Sequence, residues 1–175
     1  MTKLLNFGIL IVIFGLSVTT LGQNSISKKA EKQQKKIQAF ETLLDIVENK
    51  PLEFVAEWAF PVGYGSVNLV GNSNYLRLMN DSVDMYMPFF GRAYRATPGE
   101  EGGFVFKGIV FDKKVELDKN KREIRIDFVL KAESDRYRCS LEILGKESVT
   151  LQVTSNDRAA ISYNGDIEEW KRESE

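Results

Sequence analysis

Ile124-Arg125-Ile126-Asp127-Phe128-Val129-Leu130-Lys131 is the most regular stretch in the chain. Ile124, Ile126, Phe128 and Leu130 alternate with Arg125, Asp127, Val129 and Lys131. A period of two with one apolar face is the pattern of a half-buried β-strand. The pattern continues on both sides. Toward the C-terminus, Arg136 to Ile143 and Val149 to Val153 read as strands about a Leu144-Gly145-Lys146 turn. Ala160 to Tyr163 reads as the last strand, bracketed by Asn156-Asp157 and Asn164-Gly165, before an acidic tail around Ile167 and Trp170. Toward the N-terminus, a polar turn at Asp118-Lys119-Asn120-Lys121 is preceded by a strand from Phe104 to Phe111. Strands Tyr75–Met79 and Val83–Met87 are joined at Asn80-Asp81, and Gly71-Asn72-Ser73-Asn74 is a turn after a short strand holding Val67 and Leu69. From Leu52 to Phe60, the residues Leu52, Phe54, Ala56, Trp58 and Phe60 form one apolar face, opposite Glu53, Val55, Glu57 and Ala59. Pro61 and Gly63-Tyr64-Gly65 end that strand. Short strands with turn signals every 8 to 12 residues or so predict a mainly β fold, an antiparallel β-sandwich or barrel-like sheet.

One helix precedes the strands. Ser27 to Asn49 carries Ile37, Phe40, Leu43, Leu44 and Val47 at three- and four-residue spacing, with Ser25 or Ser27 as its cap and Pro51 beyond its end. The stripe suits a helix that covers one sheet face or plugs one end. Lys28, Lys29, Lys32, Lys35 and Lys36 crowd its first turns, opposed by Glu31. They read as a solvated face, or as a contact with an anionic envelope surface. Before the helix, Lys3, the apolar run Leu4–Val18 and Thr20-Leu21-Gly22 have the form of a signal peptide cut before Gln23; an uncleaved anchor is the alternative. No cysteine stands near the cut, so the pattern is not that of a lipoprotein. The expected organisation is a signal peptide over 1–22, a helix region over 23–50 and a β domain over 51–175, the last two forming one domain. The expected location is periplasmic or secreted.

Composition excludes several chemistries. The chain has no histidine, which removes the commonest general base and zinc ligand. Its single cysteine, Cys139, permits no internal disulfide and lies in phase with Tyr137, Leu141 and Ile143, as a buried apolar residue would. A net charge of −1 gives no footprint for nucleic acid. The chain carries no calcium loop, nucleophile elbow or phosphate loop. Two carboxylate groupings, Glu53 with Glu57 and Asp81 with Asp84, sit on a solvent face or in a turn, without the apolar surroundings that raise a carboxyl pKa. No catalytic residue, metal site or cofactor is therefore expected.

The densest run of rings, glycines and charges is Met85-Tyr86-Met87-Pro88-Phe89-Phe90-Gly91-Arg92-Ala93-Tyr94, with Gly102-Gly103-Phe104-Val105-Phe106 after it. Pro88 removes an amide donor and ends the strand before it, and Gly91 lets the chain turn. The segment Met87 to Tyr94 resembles the signature of a bacterial family known as domain of unknown function 4251. The Gly102-Gly103 segment and the ending Ala160-Ile161-Ser162-Tyr163-Asn164-Gly165 resemble it too. Met87 and Phe89 stand where that family usually has Leu and Tyr. The resemblance covers essentially the whole chain after the leader. It implies a small exported bacterial protein and carries over no activity.

The residues themselves allow two readings of the segment: rings locking a crossover onto the core, or the mouth of a ligand pocket. In the second, Tyr86, Phe89, Phe90 and Tyr94 stack on an apolar or amphipathic small molecule while Arg92 and Arg95 pair with an anionic group. The chain is expected to be a non-enzymatic binding domain for such a molecule, or alternatively a structural or protein-interaction domain of the cell envelope. An open cavity lined by Trp58, Tyr86 and Phe106 favours the carrier, and a filled interior with an exposed aromatic patch favours the interaction domain.

Overall fold

The computed structural model describes residues 23–95, 102–133 and 135–171, with helix side chains described from Lys28 onward. The leader over 1–22 and the loop residues Glu100 and Glu101 lie outside the described residues. Helix α1 spans Gln23–Asn49, so Ser25 and Ser27 fall inside it instead of capping its start. The chain up to Gln38 belongs to one compact unit and Ala39–Glu175 to another. In the first, Lys28 to Gln38 are exposed throughout, Ile37 included. In the second, Leu43 and Ile46 are buried, and Phe40, Leu44 and Val47 pack against the same core. The apolar stripe read from Ile37 to Val47 is therefore used from Phe40 onward.

Among the described residues, ten strands follow: β1 Leu52–Pro61, β2 Val67–Asn68, β3 Tyr75–Met79, β4 Ser82–Met87, β5 Phe104–Ile109, β6 Phe111–Asp118, β7 Glu123–Lys131, β8 Arg136–Gly145, β9 Ser148–Thr154 and β10 Ile161–Glu169. They form one antiparallel sheet in the order β5-β4-β3-β1-β10-β9-β8-β7-β6, with β2 on β1. The edge strands β5 and β6 are consecutive in the chain, with Val110 alone between them. The Val110 amide donates to the Asp81 carbonyl at 2.9 Å, and Lys113 Nζ donates to the Asn80 carbonyl at 2.7 Å. One bend thus serves both edges, and the sheet curls into a nearly closed barrel.

The alternation in sequence becomes layers across this sheet, because the register places inward residues side by side. Ile126, Leu141, Leu151, Tyr163 and Ala59 form one row across β7, β8, β9, β10 and β1. All five are at most 2% exposed. Burying such a side chain contributes roughly 1.5–3 kcal/mol for the larger aliphatics and aromatics, so these rows hold the fold.

Three elements depart from the sequence reading. The strand expected from Phe104 to Phe111 is two strands, and β6 was not foreseen, because Asp112-Lys113-Lys114 interrupts the alternation with exposed side chains. β10 runs through Asn164-Gly165 to Glu169, where a turn was expected. In β1 the register shifts between Ala56 and Trp58, a β-bulge that reverses the facing of everything after it. Ala59 and Pro61 point inward, while Trp58 and Phe60 are 39% and 41% exposed.

Candidate functional site

The segment after β4 is stitched along the loop before β10. The Tyr94 and Arg95 amides donate to the Asp157 carbonyl at 2.7 and 3.2 Å, and the Ala159 amide donates to the Arg92 carbonyl at 2.9 Å. The fully buried Tyr163 hydroxyl donates to the Pro88 carbonyl at 2.7 Å. Burial pushes the Tyr163 phenol well above its ordinary pKa, so it stays a donor. Phe89 meets Phe104 edge to face at 5.4 Å, and Phe104 meets Tyr137 in the same way at 5.1 Å. The Arg158 guanidinium lies 5.6 Å from the Phe89 ring and 5.3 Å from the Phe104 ring. Its Nη1 donates to the Gly103 carbonyl at 2.6 Å. Gly103 needs to be glycine, since a Cβ there would stand 2.6 Å from the Met87 carbonyl oxygen.

The loop carrying Arg158 is itself braced. The Arg158 and Asp157 amides donate to Ser155 Oγ, each at 3.0 Å, and the Ser155 hydroxyl bonds to Asp135. The Asp135 carboxylate also accepts from the Asn156 amide at 3.2 Å, which ties the β7–β8 connection to the β9–β10 loop.

The six residues assigned to a ligand site separate into three groups. Tyr86 faces outward on β4, its ring 6.2 Å from that of Tyr75. Phe89 and Phe90 are half-buried against the core. Arg92, Tyr94 and Arg95 are exposed, and Arg95 Nη1 lies 3.8 Å from the Asp157 carboxylate. The cation over the rings is Arg158, which sits in an unremarkable polar loop and carries no signal in the sequence.

A second feature lies on the outer face of the barrel. Beyond the β1 bulge, Trp58 stands between Asn68 of β2 and Asn164 of β10, and Phe60 stands beside Ser162. The Thr150 hydroxyl bonds to the Asn164 side chain at 3.2 Å. Val62 and Tyr64, in the loop leaving β1, and Val70, in the turn leaving β2, are about two-thirds exposed. The bulge is held by Asn74. Its Oδ1 accepts from the Ala56 amide at 2.7 Å, and its Nδ2 donates to the Ala56 carbonyl at 3.0 Å. β2 then takes over the pairing, with the Leu69 amide on the Glu57 carbonyl at 2.7 Å.

The third feature is an open groove of about 720 Å³ lined by Ile46, Trp170, the carboxylates Glu53, Glu168 and Glu169, and the cations Arg77, Lys146 and Lys171. Arg77 organises one wall. Its Nε lies 2.6 Å from Glu53 Oε1, and its guanidinium is 4.0 Å from the Tyr75 ring and 5.0 Å from the Trp170 ring. Tyr75 donates to Asp84 at 3.3 Å, and burial together with that carboxylate raises its phenol pKa. Lys50 reaches Glu169 at 3.1 Å, and their hydrogen bond raises the Lys50 pKa. Three carboxylates face three cations here, so the groove offers no net charge to select an ion.

No curated protein matches the chain. A crystal structure of a DUF4251 family protein from Bacteroides eggerthii superposes with a TM-score of 0.59 at 15% identity, over 75% of this chain and 87% of that one. At that identity the likeness is one of fold. The family model described as domain of unknown function (DUF4251) matches residues 34–167, which include the Met87–Tyr94 segment, Arg158 and strands β1 to β9 with β10 as far as Ile167. The chain belongs to the DUF4251 family.

Proposed function

We propose that this chain is a non-enzymatic exported binding domain that acts as an interaction module of the cell envelope. It meets its partner on the outer face of the barrel. The observation that carries this reading is the outward pair Trp58 and Phe60, with Val62, Tyr64 and Val70 nearby in sequence, all more than a third exposed. Exposed aromatic residues on a rigid sheet are the usual anchors of a protein contact. The barrel interior supports it, being filled by Phe54, Phe104, Phe128, Tyr163 and the aliphatics between them, all at most 2% exposed. One carboxylate of each pair weighed for acid–base work is engaged elsewhere, Glu53 by Arg77 and Asp84 by Lys107 at 3.0 Å. Export rests on the leader-like run Leu4–Val18. The exposed Lys28, Lys29, Lys32, Lys35 and Lys36 offer a further contact to an anionic surface.

The groove favours a second reading, a small amphipathic ligand. Its volume of about 720 Å³ falls in the range of ligand pockets, roughly 300–1,000 Å³. Trp170 offers a ring face, with Arg77 and Glu53 as polar neighbours.

Native mass spectrometry of the chain, purified gently from its own host beside a Trp58→Ser/Phe60→Ser variant, separates the two. The interaction reading expects a protein partner at fixed stoichiometry that the variant loses while its melting temperature moves by only a few degrees. A partner retained equally by both forms would sink the outer-face assignment. A small mass shed on denaturation, and kept by the variant, would move the ligand to the groove.

A further inference from the structure

Strand β6 is an edge strand, and seven of its eight residues are exposed. Val115 and Leu117 are in register with Ile126 and Ile124 of β7, so they point to the inner face of the sheet. Their β7 partners are 2% and 0% exposed, whereas Val115 and Leu117 are 48% and 39% exposed. The difference is a missing neighbour: inward residues of interior strands are covered from both sides, and these from one. Among the described residues, the backbone edge facing away from β7 has no partner strand. A register break between Phe111 and Lys114, with Asp112 at φ 53, bends the start of the strand. This leaves Lys114–Asp118 as the regular part of the edge.

The outward residues of that part carry an ordered charge pattern. Lys114 and Glu116 flank Val115 and lie opposite Asp127 and Arg125 of β7. In an antiparallel pair related by a two-fold axis through Val115, Lys114 of each copy faces Glu116 of the other, twice. Val115 then meets its own equivalent on the inner face. Moving the axis to Glu116 sets Lys114 against Asp118 but Glu116 against Glu116, and moving it to Lys114 sets Lys114 against Lys114, so each opposes like charges. Moving it by half a step sets inner residues against outer ones. Within Lys114–Asp118, the register about Val115 is therefore the one that keeps the facing and opposes no like charges.

We propose that β6 is the assembly edge of this protein, and that its occupant is a second copy of the chain, paired antiparallel about Val115 into one continuous sheet. This goes beyond the outer-face reading and does not depend on it. Pairs directly opposite in an antiparallel ladder have Cα atoms about 4.5–5.5 Å apart, within disulfide reach. The native Cys139 is buried and does not compete.

The test is sedimentation equilibrium of the purified chain with three variants, joined to an oxidation assay. The wild type sediments as a concentration-dependent dimer. Lys114→Glu weakens it at least about tenfold, and the Lys114→Glu/Glu116→Lys double variant restores it, while all melt like the wild type. Val115→Cys gives a covalent dimer on oxidation, and Leu144→Cys, at an exposed site away from the edge, does not. A wild type that stays monomeric at about 0.5 mM, or a dimer indifferent to the charge swap and not cross-linked through Val115→Cys, overturns the proposal. So would a single variant as strongly dimeric as the double one.

Discussion

Asn74 holds the backbone of Ala56 at both ends: its carbonyl oxygen takes the Ala56 amide at 2.7 Å, and its amide nitrogen gives to the Ala56 carbonyl at 3.0 Å. The side chain does the work of a strand residue at the place where β3 has ended and β2 has not begun. It is 5% exposed, so water does not compete for these bonds. The bulge it secures turns Trp58 and Phe60 out of the barrel.

Replacing Asn74 by Leu leaves the Ala56 amide and carbonyl buried without partners. A destabilisation of about 1–3 kcal/mol for each unsatisfied group is expected, read from urea unfolding. The slope of the transition should stay that of the wild type. A loss below about 0.5 kcal/mol would show that the bulge holds without Asn74.

Gly165 lies across the sheet from Ala56, and a Cβ there would stand 2.0 Å from the Val55 carbonyl oxygen. The nearest atoms are all backbone of Val55 and Ala56, so no rotamer relieves the clash. Gly165→Ala should cost at least about 1–3 kcal/mol, the range of overpacking. Gly145→Ala, with nothing within 4 Å of the added carbon, should be nearly neutral. Thermal unfolding of the two variants side by side makes the comparison; equal melting temperatures would contradict the close approach.

The aromatic segment should show a graded response. Phe104 is fully buried between Phe89 and Tyr137, and its truncation to Ala should cost roughly 3–5 kcal/mol. Phe90 is half-buried, and Phe90→Ala should cost less than Phe104→Ala. Tyr163→Phe removes the one bond to the Pro88 carbonyl and should cost about 1 kcal/mol. Denaturant midpoints in the reverse order would mean that this segment is not a lock on the core.

Burial pushes the thiol of Cys139 and the phenol of Tyr163 well above their ordinary values of 9.0 and 10.0. Both groups are neutral when protonated, so the folded state keeps protons that the unfolded state gives up in alkali. Their stabilising contribution is complete below pH 9.0 and is lost as the pH rises beyond it. Above these values each group should lower the unfolding free energy by up to about 1.4 kcal/mol per pH unit. Melting between pH 8 and 11 measures this, and Cys139→Ala should flatten the first part of the decline. The same burial predicts that Cys139 resists a thiol reagent at pH 8 in the native state and reacts fully in urea.

Strand assignment was legible wherever one face of a strand is covered and the other is wet. The alternations Ile124–Leu130 and Tyr137–Ile143 became the rows of the barrel without change. Cys139, read as a buried residue in phase with its neighbours, is one. β6 was illegible because an edge strand obeys no burial pattern, and its lysines and bulge resemble a loop. The end of β10 was misread because Asn164-Gly165 has turn chemistry, while its glycine serves a close approach to β1.

Of the site, sequence reasoning found the segment but not its partners. Phe89 and Phe90 are brought to the core as rings locking a crossover, yet the cation above Phe89 comes from Arg158, and the anchor of Pro88 comes from Tyr163. Neither is adjacent in sequence; Arg158 stands in no patterned stretch, and Tyr163, though in the last predicted strand, carries no local sign of its contact with Pro88. The groove around Arg77 and Trp170 had no signal either, because it joins β1, β3 and the end of β10.

The sequence by itself determined the β class, the helix before it, the faces of the unbroken interior strands and the family, because each rests on local periodicity or on a contiguous motif. Only the tertiary structure decided which aromatic residues are inside. Trp58 and Phe60 share the phase of Leu52, Phe54 and Ala56, and one extra residue at the bulge reverses them. That reversal depends on Asn74, eighteen residues away. No local pattern carries a contact of that range, and the sign of every later residue in β1 follows from it.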